Sequence, residues 1–532
     1  MLVDSIFSVK LEELSLFSLV DEFTLFSKLL SEEGSSRLSL DFSILETYRE
    51  NNRIEAKKAL GGLPESIWET YSAFANTMGG IILLGVVEQK DKTLSAIDLP
   101  APEKLIKEFW DMVNNPKKVS VNILSSKDVF VQDADGHRIV VINVPRADRA
   151  YRPVYIDGNP LCSYRRNGEG DYRCTREEYQ AMVRDSSVKT QDMLILTEMD
   201  LSVFNRESID SYRRRMRLSR PGHVWESLAD EDFLLRIGAV AIGDDGRKHP
   251  TSAGLLMFGN EYEIVREYNN YFLDYQERYD DSTRWTDRIV SSSGEWSVNI
   301  YDFYFRVYNR LTQDIKVPFK IKDGVRIDDT QVHQALREAL ANCLVNADYY
   351  GRQGVVIIKS RDGISLSNPG GFRVEIDAAR SGGVSDPRNG NLLKMFNLID
   401  IGERAGSGIP SIFSIWNSQG WTDPVIIENF EPERITLSLE FEESDSGNGN
   451  GGKIGDKKSA IKIGDKKSAI SSARKEKIIE YLTDHGSARS SEIAEYVDLR
   501  PSRVRDYLGE LVREDIVVAE GANRNRTYRL KW

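Results

Sequence analysis

The stretch 443-ESDSGNGNGGKIGDKKSAIKIGDKKSAI-470 does most to limit how this chain can fold. Its Ser/Gly/Asn run and two tandem copies of KIGDKKSAI, at 453–461 and 462–470, offer too little apolar surface to join a core. Two nine-residue copies are also too short for a solenoid. A flexible, positively charged tether over 443–472 is expected, with a separate unit beyond it. The chain has 532 residues, more than one core supports, so roughly three or four domains are expected.

Composition narrows the partners. The formal net charge is −12, which excludes a generic polyanion binder, so a nucleic-acid surface has to be a local cluster of Arg and Lys. Three cysteines without a CxxC pair and five scattered histidines argue against a disulfide framework or a structural zinc site. A reducing cytoplasm is the expected setting. No apolar run approaches the length of a bilayer span, so no membrane partner is expected. Residues 1–40 read as an amphipathic helical extension rather than a signal peptide.

After the tether, residues 473–532 carry helical apolar patterns around Ile478 and Leu482, around Ile493 and Val497, and around Val504, Leu508 and Leu511, then two short strands. Helix, helix, helix and hairpin is the order of a winged helix-turn-helix. Its third helix would present Arg500, Ser502, Arg503 and Arg505 to a major groove, with Arg524 and Arg526 at the hairpin tip for phosphates. A protein-contact role for such a unit stays open.

Two earlier segments carry candidate chemistry. In 50-ENNRIEAKKALGG-62, Glu55 and Lys57 are two apart and share a strand face. Glu50 must fold back from the preceding turn. Glu88 ends the apolar run 81-IILLGVVE-88, read as one strand that the Gly79–Gly80 turn aims beside the first. Three acids with one lysine are the makings of a divalent-cation site on a phosphodiester, and also of an ordinary solvated strand edge. Further on, 337-REALANCLVNADYYG-351 places Glu338 and Asn342 at i and i+4 on a helix, with Asn346 continuing the stripe. A carboxylate and a carboxamide so placed can orient a water and Mg²⁺ beside a triphosphate. Gly370–Gly371 in 364-ISLSNPGGF-372 permit close backbone approach, and Gly406-Ser-Gly408 before an apolar helix is similar to a phosphate-binding turn. No Walker loop occurs. Arg388 could reach a phosphate, and Asn389 could cap the next helix.

The string E-N-N-R-I-E-A-K, then SAFANTMGG, then 163-SYRRNGEG-170 resembles the AlbA-type domain of the Schlafen family over 41–185. That resemblance implies Glu50, Glu55 and Glu88 as ligands of Mg²⁺ or Mn²⁺ and Lys57 as the accompanying cation of a nuclease. Ala56 stands where an aromatic is usual and Glu88 where Asp is common. The set E-x-x-x-N, N-P-G-G and G-S-G resembles a divergent GHKL-type ATPase domain over 321–442. By that likeness Glu338 is the water-activating base, Asn342 the Mg²⁺ ligand and Asn368 the adenine contact, although Asp is ordinary there. Gly370, Gly371, Gly406 and Gly408 would line ATP.

The expected fold class is multi-domain α/β and α+β: a helical extension (1–40), an AlbA/Schlafen-like domain (41–185), a middle domain (190–320), a GHKL-like sandwich (321–442), the tether and a winged helix (473–532). The leading function is an ATP-binding regulator of transcription that reads DNA. The alternatives are a metal-dependent nuclease acting on RNA or single-stranded DNA in defence, and an inactive scaffold. An exposed apolar strand near Leu255–Met257, together with the family's habits, points to a homo-oligomer.

Overall fold

The computed structural model describes residues 40–42, 45, 48–279, 284–313, 320–322, 325–327, 330–402 and 406–441. In the C-terminal part it describes residues 478, 481–482, 487–489, 493, 496, 504, 508, 511, 517–520 and 527–531. The chain forms two compact units, Met1–Asp445 and Ser446–Trp532. The expected N-terminal helical extension and the tether lie outside the described residues.

The long unit opens with a four-stranded sheet in the order β1-β2-β6-β5. These strands are β1 (Ile54–Lys57), β2 (Gly80–Leu84), β5 (Val129–Ala134) and β6 (His137–Val144). β1 and β2 run parallel, with Glu55 opposite Ile82; β6 runs antiparallel to both β2 and β5. Alternate residues of β2 enter two different cores: Ile82 and Leu84 pack under helices α1 (Ile67–Asn76) and α2 (Pro102–Val113), Ile81 and Leu83 on the opposite face. Burial on both faces explains the unbroken apolar run.

That run is not one strand. At Gly85 the backbone takes φ +86°, and a Cβ there would sit 2.8 Å from Leu99 Cγ. The chain leaves the sheet and Val86–Glu88 (β3) pairs with Leu94–Ala96 (β4). The hairpin of β7 (Tyr164–Asn167) and β8 (Gly170–Arg173) follows. It leads into α3 (Arg176–Ser186), which starts with a capping box between Thr175 and Glu178.

The next segment is helical: α4 (Arg206–Ser219), α5 (Asp230–Ile237), the small hairpin β9 (Val240–Ile242) and β10 (Lys248–Pro250), α6 (Ser252–Phe258) and α7 (Glu261–Glu267). The exposed strand expected near Leu255–Met257 is instead the buried helix α6. Its apolar side chains fill the interior of their own chain, so they supply no oligomer surface.

A six-stranded sheet, β12-β11-β15-β16-β18-β17, completes the unit. It joins β11 (Leu273–Arg278) and β12 (Asp287–Val290) to β15 (Val355–Ser360), β16 (Gly363–Pro369), β17 (Val425–Phe430) and β18 (Glu433–Glu440). β11 lies parallel to β15, with Tyr275 opposite Ile357. The boundary expected between 190–320 and 321–442 is therefore crossed by one sheet, and one hydrophobic core runs from Leu196 to Leu439. Sequence proximity could not show it, because β11 pairs with a strand some eighty residues later in the chain. Helix α8 (Ile300–Thr312), the hairpin β13 (Lys320–Lys322) and β14 (Val325–Ile327), and helices α9 (Gln331–Val345), α10 (Ile376–Ser381), α11 (Gly390–Asn397) and α12 (Gly408–Ser418) complete it.

In the second unit, residues 478, 481–482, 493, 496, 504, 508 and 511 are helical, and the antiparallel sheet runs in the order β19-β21-β20. Its strands are Ser487–Arg489, Val517–Glu520 and Thr527–Leu530. Ile478, Leu482, Ile493, Val504, Leu508 and Leu511 share its core. A strand between the first two helical stretches is an element the sequence reading lacked.

Candidate functional site

The first candidate is built on β1. Its pleat puts Glu55 and Lys57 on one face, and Lys57 Nζ lies 2.9 Å from Glu55 Oε1 and 3.1 Å from Ser66 Oγ. The other carboxylate oxygen, Oε2, is 2.8 Å from Nη2 of Arg166, a side chain only 1 % exposed. Arg166 also donates to the Asn51 carbonyl and to Asp171, and lies over the Phe74 ring.

Polar residues of the SAFANT string bring it there. Ser72 Oγ accepts from Tyr164 N, Thr77 Oγ1 accepts from Arg166 N, and Asn76 Nδ2 donates to the Tyr164 and Val154 carbonyls. The string is thus a latch between α1 and β7. Gly79 and Gly80 lie so close to Val144 and Arg53 that a Cβ at either would meet backbone oxygen within 2.8 Å.

Glu50 folds back as expected and accepts from Ala56 N at 3.0 Å. Burial pushes its carboxyl above the ordinary value against that N–H bond, and the charges of Glu55 and Glu88 push the same way. Glu88, at the end of β3, pairs with Lys92 at 3.2 Å. Glu50 therefore senses both of the other acids. Glu55, however, is neutralised by two cations, and among the described residues no three His, Cys, Asp or Glu side chains are placed to hold a metal ion.

The second candidate is a cavity of about 140 Å³ between α9, α12 and the sheet. Glu338, Asn342, Asn346, Asn368, Gly371, Gly406 and Gly408 all line it. The helical spacing brings Asn342 Nδ2 to 3.0 Å from Glu338 Oε1. A Cβ at Gly408 would overlap Glu338 Oε1, so the Glu338 carboxylate packs against the first turn of α12, where the helix dipole favours it. Asn346 caps α9 and donates to the Asn342 carbonyl at 3.0 Å. Asn368 Nδ2 points at the carbonyls of Pro369 and Asn346.

Three expectations change here. Gly370 is not part of the cavity lining; its φ of +94° makes room for Arg388, whose Nη2 would be 2.7 Å from a Cβ at that position. Arg388 lines the cavity but is buried and already engaged by Asp185, by the Asn346 carbonyl at 3.0 Å and by the Gly371 carbonyl at 2.9 Å. Asn389 makes no side-chain cap to α11; it donates to the Val345 and Ala347 carbonyls at the end of α9.

Elements around the cavity also meet the residues that follow the N-terminal sheet. Arg146 forms a bidentate pair with Glu428, at 2.6 and 2.9 Å, and donates to the Phe372 carbonyl at 3.2 Å. Arg149 pairs with Asp386, Arg165 with Glu433 and Arg184 with Asp348. Sequence reading missed these arginines, whose partners lie more than 160 residues away. Arg500, Ser502, Arg503, Arg505, Arg524 and Arg526 lie outside the described residues.

The fold and these sites define a mixed α/β protein of several domains. Residues 50–175 match the family described as "Schlafen, AlbA_2", and residues 353–437 match the one described as "Putative ATP-dependent DNA helicase recG C-terminal". The chain thus contains a Schlafen AlbA_2 domain and a RecG C-terminal-like domain of ATPase type. Residues 180–274 match a domain of unknown function, DUF8451, and residues 474–524 match "FaeA-like protein". No curated protein sequence matches the chain. Among solved structures, the DIP2311 protein from Corynebacterium diphtheriae is 15 % identical over 96 % of this chain and 99 % of its own, with a TM-score of 0.36. The N-terminal domain of a RecG-related protein from Nitrosomonas europaea is 29 % identical over 25 % of this chain and 90 % of its own, with a TM-score of 0.20. Among the described residues no helix is long and apolar enough to cross a membrane.

Proposed function

We propose that this protein is an ATP-binding regulator that works on nucleic acid, with nucleotide held in the α9–α12 cavity. The observation that carries the reading is the Glu338–Asn342 pair on the cavity wall. With Nδ2 turned to Glu338, Asn342 offers its carbonyl oxygen as a hard ligand for Mg²⁺. Glu338 is the carboxylate that would orient a water. Asn368, its amide nitrogen facing two carbonyls, keeps Oδ1 to accept from an adenine amino group, so Asn serves where Asp is ordinary. ATP, when bound, would supply a triphosphate whose charge Mg²⁺ offsets, with Asn342 the residue that would hold the ion. The C-terminal unit, read as a winged helix, would contact DNA through Arg500, Ser502, Arg503 and Arg505, with Arg524 and Arg526 on phosphates.

Titration of the whole chain with a fluorescent ATP analogue and Mg²⁺ tests the reading. Sub-millimolar binding that is lost in Asn342→Ala supports it, and no binding by the wild type refutes it.

A second reading, a nuclease using Glu50, Glu55, Glu88 and Lys57, is favoured by the fold-back of Glu50 onto β1, where the charges of Glu55 and Glu88 act on it. As placed, Glu55 is held by Lys57 and Arg166, and the acids do not form a cation cage. Cleavage of tRNA or single-stranded DNA with Mn²⁺ that disappears in Glu55→Ala would establish this reading over the arrangement seen here. No cleavage by the wild type, or equal cleavage by Glu55→Ala, refutes it.

A further inference from the structure

One cation on the cavity wall is left incompletely matched. Arg373 follows the NPGGF turn and lines the cavity. Its side chain is 6 % exposed. Nη1 donates to the Pro387 carbonyl at 3.2 Å and Nη2 lies 3.4 Å from Asp386 Oδ1, while Nε has no partner. Asp386 is itself shared, because Arg149 of the AlbA_2 domain takes both its oxygens through Nε and Nη2. One carboxylate therefore serves two guanidinium groups. The neighbouring Arg388 has its own acid in Asp185 and does not relieve the excess. Burial pushes Arg373 down to about 10; Asp386 and Asp185 oppose this, and Arg149 and Arg388 add to it. A buried donor without an acceptor is costly, and an incoming oxyanion satisfies both the donor and the charge.

We propose that Arg373 is the anion-recognising residue of this cavity, binding a phosphate-type oxyanion through its guanidinium, and that Arg149 of the AlbA_2 domain controls it through the shared Asp386. The inference rests on the nucleotide reading of the cavity and adds to it a residue and a route of regulation. When Arg149 holds Asp386, Arg373 keeps an unneutralised charge for the ligand. When Arg149 is drawn away, Asp386 turns its full charge on Arg373, and affinity for the anion falls. The state of the AlbA_2 domain thereby sets how strongly the cavity holds phosphate.

The experiment measures affinities of the purified full chain for ATP and for adenosine by calorimetry with Mg²⁺, in wild type, Arg373→Gln, Arg373→Lys and Arg149→Gln. In Arg373→Gln, ATP affinity should fall about ten- to a hundredfold, the range for a lost charge-assisted contact, while adenosine affinity changes less than about threefold. Arg373→Lys, which keeps the charge but lacks the planar guanidinium, should lose ATP affinity as well. It covers the case in which Arg373→Gln does not fold. Arg149→Gln should weaken ATP about three- to tenfold with adenosine unmoved. Wild-type affinity for ATP retained in both Arg373 variants overturns the proposal, as does an equal loss of ATP and adenosine. An Arg149→Gln protein that binds ATP like wild type overturns the regulatory half. Failure of wild type to bind either ligand refutes the nucleotide reading itself, a result distinct from these.

Discussion

Removing the Glu428 carboxylate leaves a cation stranded inside the protein. Arg146 and Glu428 have side chains 9 % and 5 % exposed and share two hydrogen bonds. Glu428 also accepts from the Phe372 N–H at 2.7 Å. In Glu428→Leu, Arg146 loses both its hydrogen-bonded carboxylate oxygens and keeps the Phe372 carbonyl, the face of Phe430 and the more distant charges of Glu375 and Glu433. Breaking one side of a buried pair costs about 3–5 kcal/mol, and a newly unsatisfied buried N–H about 1–3 kcal/mol. The two losses overlap, so a total of roughly 4–6 kcal/mol is expected. Replacing both partners, as Arg146→Met with Glu428→Leu, removes the charge altogether and should cost only about 1–3 kcal/mol, mainly from the Phe372 backbone groups. Urea unfolding of the four proteins, followed on the same tryptophan-fluorescence transition, closes a double-mutant cycle with a coupling of at least about 2 kcal/mol. If Arg146→Met costs the same whether residue 428 is Glu or Leu, the buried pair is not what joins these domains, and the reasoning fails.

Asn76→Ala removes donors to the Val154 and Tyr164 carbonyls and the acceptor of Val154 N. It should lower stability by about 3–5 kcal/mol, seen as an earlier unfolding midpoint, with Ser72→Ala costing less. Glu50 gives a pH-dependent test. Its pKa is raised in the fold from 4.5, so its contribution is fully present below that value and is lost as pH rises through the raised one. Glu50→Gln should therefore melt above wild type at pH 7, with the gap closing toward pH 4.5. A gap unchanged across a pH series of melting points would contradict the raised value.

What the sequence made legible was local. The pairing of Glu55 with Lys57 follows from a period of two, that of Glu338 with Asn342 from i,i+4 spacing, and both contacts form. The latch made by Ser72, Asn76 and Thr77 was visible only as a family string, because its partners lie about 80 to 90 residues on. Arg166 stood inside a quoted turn, but nothing near it in the chain revealed that it would occupy Glu55. Arg388 and Asn389 read as loop residues at a helix start because an arginine's buried acid, here Asp185, leaves no trace in neighbouring residues. Gly85 looked like a strand interior position, and only the close approach of Leu99 shows why it turns the chain aside. The apolar α6 was ambiguous for a physical reason: a short buried run has the same composition as strand or helix.

The parallel pairing of β11 with β15 has a consequence for how the protein is made. As the chain leaves the ribosome, β11 emerges well before the strand that covers one of its edges. Until then β12, which follows it directly, pairs with one edge, and the edge meant for β15 is open to other chains. The stretch between them holds α8 and α9, which can form from local contacts while that edge waits. A polypeptide truncated before about residue 360 would lack β15 and be prone to aggregate. A fragment begun at 321 would have the converse defect, a β15 with no β11 to shield it. In the finished fold residues 190–442 share one sheet and one core, and synthesis is the stage at which they are apart.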